Sequence, residues 1–155
     1  MELADILSEE SVVVCTGLTS KREVLEKLSE QAARATGQDA RAVFEAISDR
    51  EALGSTGLGN GIAIPHGKFP GISGVTAVFA RLSEPVEFDS VDDRPVDLLM
   101  LLLAPMGAGA DHLKALARVA RVLRTEAVAD AIRLAPDGHG IYQILTRPVA
   151  ATQAA

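Results

Sequence analysis

In "PVDLLMLLLAP", residues 95 to 105, apolar side chains follow one another almost without a break. A strand with one wet face would alternate, so an unbroken run of strand length predicts a central strand covered by helices on both sides. "SVVVC", short and β-branched, and "GVTAVFARLS", apolar on both faces, predict two more strands. The period lengthens elsewhere. In "TSKREVLEKLSEQAAR", Ser20 with Glu23 three residues on forms a capping box, and Val24, Leu25, Leu28 and Ala32 recur at helical spacing. Asp39 is placed to cap a second helix with Val43, Phe44 and Ile47 on its inner face, stopped by Gly54. "DHLKALARVARVLR" predicts a third helix, with Leu113, Leu116, Ala120 and Leu123 inward and Lys114, Arg118 and Arg121 outward. Shorter helices are expected from Val128 to Leu134 and, after Asp137, from Ile141 to Thr146. A Gly-rich loop, "GSTGLGNGIAIPHG", joins the second helix to the sheet, and "IAIPH" predicts a short strand that ends at the histidine.

The order of these elements predicts an α/β fold, a mixed parallel and antiparallel sheet sandwiched between helices. A single domain is expected over residues 1–148, with 149–155 a loose tail. Length and composition agree, since 155 residues with 48% hydrophobic and 23% charged suit one globular core. A net charge of −6 without a basic stripe repels nucleic acid and anionic membrane surfaces, so neither is an expected partner. Cys15 is the only cysteine, which rules out an intrachain disulfide. The longest uncharged run, from Leu98, is too short to cross a bilayer, and the acidic start is unlike a secretory signal. A soluble, cytoplasmic protein without membrane insertion is expected.

The glycines raise nucleotide binding first, and the spacing rejects it. A phosphate-binding P-loop needs Gly where Ile62 stands and Ser or Thr where Phe69 stands. A dinucleotide fingerprint that starts at Gly57 also meets Ile62 where its last Gly should be. Ser55 lacks the preceding Gly of a nucleophile elbow, Leu53 standing there instead. No Cys/His spacing suggests a metal, and no cofactor is implied.

What remains is histidine chemistry. His66 stands between Pro65, whose φ is locked, and Gly67, which leaves nothing between the ring and an approaching molecule. Such a residue is also what a simple turn looks like. A neutral imidazole can accept a phosphoryl group if one nitrogen faces out, the other is held, and donors lie near the incoming charge. Ser55, Thr56 and the glycines from Gly54 to Gly61, Gly57 among them, offer hydroxyls and backbone N–H groups of that kind. Arg50 and Lys68 offer positive charge, and His112 sits at the positive end of the third helix. His139 is given no role, and Leu58, Phe69 and Met106 are expected in the core.

Together, "DREALGSTGLGNGIAIPHGK", "PVEFDSVDDRPVDLLMLLLAP" and "DHLKALARVARVLR" resemble the enzyme IIA proteins of the bacterial phosphotransferase system. The branch is the fructose/mannitol type and, within it, the nitrogen-regulatory proteins. The likeness runs from the first helix to Thr146, and its specific part is the histidine motif behind the GSTG loop. It implies that His66 is phosphorylated by a small histidine phosphocarrier protein. By position, His112 matches a second histidine that helps hold the phosphoryl group, and Arg50 a nearby arginine. Ser55, Thr56, Gly57, Gly67 and Lys68 then border the phosphate. Downstream regulatory proteins are the implied partners. Two alternatives stay open: a IIA component that passes phosphate to a sugar permease, and a silent binding module of the same fold.

Overall fold

A computed structural model describes residues 1–147, and in it the long apolar run becomes β6 (Val96–Ala104), the middle of a six-stranded mixed sheet. Before it come β1 (Val12–Cys15), α1 (Lys21–Thr36), α2 (Ala40–Ala52), β2 (Gly57–Gly59), β3 (Ile62–Ala63), β4 (His66–Lys68) and β5 (Thr76–Val86). After it come α3 (Gly109–Arg124), α4 (Glu126–Leu134) and α5 (Gly138–Leu145). The sheet order is β1-β5-β6-β3-β2, with β4 also against β6. β5 runs antiparallel to β6, while β3 and β4 run parallel to it. The chain is thus one α/β domain, as the succession of elements predicts.

β6 carries apolar residues at every position from Leu98 to Ala104 because it serves two cores. Leu98, Met100 and Leu102 enter the layer made by α3, α4 and α5, together with Ala115, Val119, Ile132 and Ile141. Leu99, Leu101 and Leu103 enter the layer made by α1 and α2, together with Leu25, Leu28, Val43 and Ile47. Alternation still operates, but both faces are dry.

The predicted helix starts are present. Ser20 Oγ accepts from Glu23 N at 3.1 Å and Asp39 from Ala42 N at 2.9 Å. The return arm of the first cap reaches one residue further back than expected, to Thr19 N at 2.8 Å.

Three expectations need correction. In α3 the buried stripe is His112, Ala115, Val119 and Leu123, and Leu113 is 66% exposed. Leu123 belongs to both stripes, and Leu116 and Ala120 are partly buried against the same core, so the helix is turned by about one residue at its start with Leu113 left outside. The small Ala115 is what lets the helix approach β6, and size patterns in the sequence favour the leucines instead. Secondly, the strand through the histidine does not end there. Ile62 pairs with Leu98 and His66 with Leu102, so β3 and β4 hold one register on β6 and continue to Lys68. The gap falls at Pro65, which has no N–H to give the ladder. Thirdly, Met106 is exposed, whereas Phe69 is buried as expected. The anticipated tail, 149–155, lies outside the described residues.

Because Leu101 is fully enclosed between the layers, Leu101→Ala should cost about 2–5 kcal/mol of stability in urea unfolding. A loss under about 1 kcal/mol would contradict a β6 packed on both faces.

Candidate active site

The path to the histidine starts in the last turn of α2. Glu51 is buried, and its carboxylate accepts from Thr56 N at 3.0 Å, from Thr56 Oγ1 at 2.6 Å and from Lys21 Nζ at 2.9 Å. Lys21 is itself held over the Phe88 ring, 4.5 Å from its centroid, and donates to the Phe88 carbonyl at 3.3 Å. The loop is therefore tied back onto α1 and α2 before it enters the sheet. Ser55 adds a second tie: its hydroxyl donates to Phe88 O at 2.7 Å and accepts from Gly57 N at 3.1 Å. At Gly57 a Cβ would lie 3.1 Å from the Ser90 Cα and overlap its side chain, so only glycine fits. The β2–β3 turn passes through Asn60 at φ 57°, whose N–H is taken by Asp92 at 2.9 Å.

Ile64 then turns both backbone groups away from β6. Its N–H donates to Thr56 O at 3.1 Å, and its carbonyl receives His66 Nδ1 at 2.8 Å. A carbonyl can only accept, so the proton of the neutral ring sits on Nδ1 and Nε2 carries a free lone pair. The ring is half-buried at the start of β4, and Gly67 beside it packs on α2, where a Cβ would be 3.4 Å from Ile47 Cδ1.

His112 lies in the first turn of α3, and its ring centroid is 5.5 Å from that of His66 at a tilt of 53°. It is buried, and its Nδ1 has no hydrogen-bond partner. An orphaned N–H costs more than an orphaned lone pair, which leaves the proton on Nε2 as a donor. Both rings are held below the ordinary histidine pKa. For His66 the chief cause is burial, partly offset by the Ile64 carbonyl and reinforced by the Arg50 guanidinium, with Glu51 pulling back upward. For His112 burial leads, followed by the charges of His66 and Lys68. Two neutral rings side by side, one with a free lone pair and one with a donor, can take up and hold an electrophilic phosphoryl group.

The other expected residues divide. Arg50 and Lys68 are near enough for their charge to act on the histidines, Arg50 with Nη1 on Gly54 O at 3.0 Å and Lys68 exposed. The hydroxyls of Ser55 and Thr56 and the N–H groups of Thr56 and Gly57 are committed to Phe88 O, Glu51 and Ser55 Oγ, so these groups brace the loop and are not free to meet a phosphate. His139 bonds Glu9 at 3.0 Å and takes no part in this arrangement. Glu51 and Lys21 are absent from the residues that the sequence singles out. One signal exists: a carboxylate in the last turn of a helix opposes the dipole and needs some other reason to be there.

Comparison with known proteins agrees with this geometry. Residues 5–147 match the family described as phosphoenolpyruvate-dependent sugar phosphotransferase system, EIIA 2. A nitrogen regulatory protein of Bradyrhizobium diazoefficiens is 48% identical over 97% of this chain and 98% of its own length. A fructose-specific EIIA component of Haloferax volcanii is 36% identical over 82% of this chain and 81% of its own. The crystal structure of the nitrogen regulatory protein IIA-Ntr from Neisseria meningitidis superimposes with a TM-score of 0.86 at 34% identity, covering 93% of this chain and 99% of that one. With a family match over nearly all of its described length, the chain belongs to the EIIA 2 family of the phosphoenolpyruvate-dependent sugar phosphotransferase system.

Proposed function

We propose that this protein is a phosphoryl-accepting IIA protein of the nitrogen-regulatory branch, working in the cytoplasm and phosphorylated on His66. The observation that carries the reading is the bond from His66 Nδ1 to Ile64 O, which leaves Nε2 unprotonated on a half-buried ring. In the transfer, Nε2 attacks the phosphorus of a phosphohistidine on a small phosphocarrier protein. A new N–P bond forms, the donor's N–P bond breaks, and the electron pair returns to the donor imidazole. The positive charge that develops on the His66 ring is shared through Nδ1–H with the Ile64 carbonyl. His112, Arg50 and Lys68 offset the charge spread over the phosphate oxygens.

A protein donor also suits the surroundings. Leu53, Met106 and Leu113 are 85%, 60% and 66% exposed on the segments that carry Arg50 and His112, giving a partner apolar footing on those segments. The product differs from the free protein by close to two negative charges, a difference that downstream regulatory proteins can read. The Bradyrhizobium and Neisseria relatives named for nitrogen regulation support that outcome. The Haloferax likeness favours a second reading, onward transfer to a sugar permease. Phosphate passing from the labelled protein to a separate IIB component would decide for it.

In a reconstituted cascade fed with phosphoenolpyruvate, the wild-type protein should gain an acid-labile label and His66→Ala none. His112→Ala should label about 100- to 1000-fold more slowly, the range for loss of one donor to a charged transition state. Full labelling of His66→Ala would overturn the assignment, and no labelling of the wild type would leave a silent binding module.

The histidines also predict a pH dependence. Both pKa values lie below the ordinary 6.5, so the folded state binds fewer protons than the unfolded chain in this range. Stability from these rings is complete above 6.5 and is lost as pH falls through the depressed values. NMR titration of the ring signals should give midpoints under 6.5 for both. A midpoint at or above that value for His66 would contradict the neutral-nucleophile reading.

A further inference from the structure

The ion pair of part-exposed Lys21 and buried Glu51 makes no contact with the phosphoryl group in the transfer, yet it is the far end of a hydrogen-bonded path to the reacting ring. We infer that Glu51, supported by Lys21, is a positioning residue that sets which nitrogen of His66 is free to react. The inference rests on the reading of His66 as phosphoacceptor.

The path has no gaps. Glu51 Oε2 and Oε1 hold Thr56 through its N–H at 3.0 Å and its hydroxyl at 2.6 Å. Thr56 O takes the N–H of Ile64 at 3.1 Å, and Ile64 O takes Nδ1–H of His66 at 2.8 Å. Ile64 is the joint, because its N–H and its carbonyl flank one Cα, both are pinned, and the following Pro65 narrows the conformations open to it. Once Thr56 is loosened, the Ile64 carbonyl is free to swing, and Nδ1 loses the acceptor that keeps its proton. The tautomer with the proton on Nε2 then becomes populated, and that form has no lone pair to present.

Two further facts favour positioning over simple stabilisation. An ion pair with one buried partner is poor evidence for stability, because desolvation of the Glu51 carboxylate consumes much of its Coulombic gain. A carboxylate at the C-terminal end of α2 also faces the negative end of the helix dipole. The pair is held in a costly place and is aimed at one loop. Its carboxylate accepts three bonds, of which two go to Thr56 and none to a group outside this path or Lys21.

The test uses the full chain with Glu51→Gln, Lys21→Met and Thr56→Val. A glutamine has one acceptor oxygen in place of two, so one Thr56 donor must face an amide NH₂. Long-range ¹⁵N–¹H spectra of the imidazoles at pH 8 report the tautomer directly, without any phosphoryl donor. The expected result is a single Nδ1–H form in the wild type and a mixture in Glu51→Gln and Lys21→Met, with a weaker effect in Thr56→Val. Labelling in the cascade should slow by about 10- to 100-fold in Glu51→Gln, as for other losses of an orienting hydrogen bond. Ile132→Val, in the opposite core, should lower the unfolding midpoint while leaving tautomer and labelling as in the wild type. If Glu51→Gln keeps the wild-type tautomer and labelling rate, the inference is wrong. If it folds too poorly to study, Thr56→Val decides by the same two readouts. A wild type that takes no label would overturn the phosphoacceptor reading, and the tautomer comparison alone would then decide the positioning.

Discussion

An imidazole can be a nucleophile through one nitrogen only while the other is occupied, and in this protein the occupant is the carbonyl of Ile64, two residues before the ring. Such a close partner is within reach because the strand is interrupted. Pro65 has no N–H, so β3 and β4 are separated on β6, and Ile64 in the gap points its carbonyl away from the ladder. Pro65 O still accepts Leu102 N at 2.9 Å, which keeps the register through the gap. A proline that looks like a strand breaker thus leaves the pairing intact and frees one acceptor for the side chain that needs it.

The same surroundings serve both charge states of the site. Burial and nearby cations push both histidines below their usual pKa, because an imidazolium would be poorly solvated and repelled. Those cations gain a partner when a dianion arrives. In a chain of net charge −6, Arg50 and Lys68 make a local exception beside the two histidines, where the proposed transfer brings in negative charge. Arg50 is held by the Gly54 carbonyl at the end of α2, so it does not depend on the phosphate for its position. Preorganised charge of this kind is worth more than charge that must be gathered during the reaction.

The helices, the central strand, the sandwich and the nearness of His66, His112 and Arg50 are legible in the sequence, because each rests on local pattern or on a motif of defined spacing. Legibility ends where the answer depends on what packs against what. The inward face of α3 is centred on Ala115 and Val119 with Leu116 and Ala120 at its edge and Leu113 outside, since Ala115 and Leu113 differ in size, whereas contact with β6 rewards closeness. Ser55 and Thr56 look like phosphate donors because a glycine-rich loop with hydroxyls resembles an anion nest. Their bonds go to Phe88 O and Glu51, which are 33 and 5 residues away, and spacing alone shows neither.

That difference says what the loop is for. A nest that binds phosphate must leave its N–H groups empty, and an empty loop next to a half-buried ring would have many conformations. In this chain the hydroxyls of Ser55 and Thr56 and the N–H groups of Thr56 and Gly57 are spent on protein partners. The glycines serve shape, as Gly57 does in lying against Ser90. The loop is therefore rigid before any partner arrives, and the work of receiving charge passes to side chains that ring the opening. A phosphoryl group that is soon to be read or handed on is better held by a few such groups than by a closed cradle, because tight binding of the intermediate would slow its release.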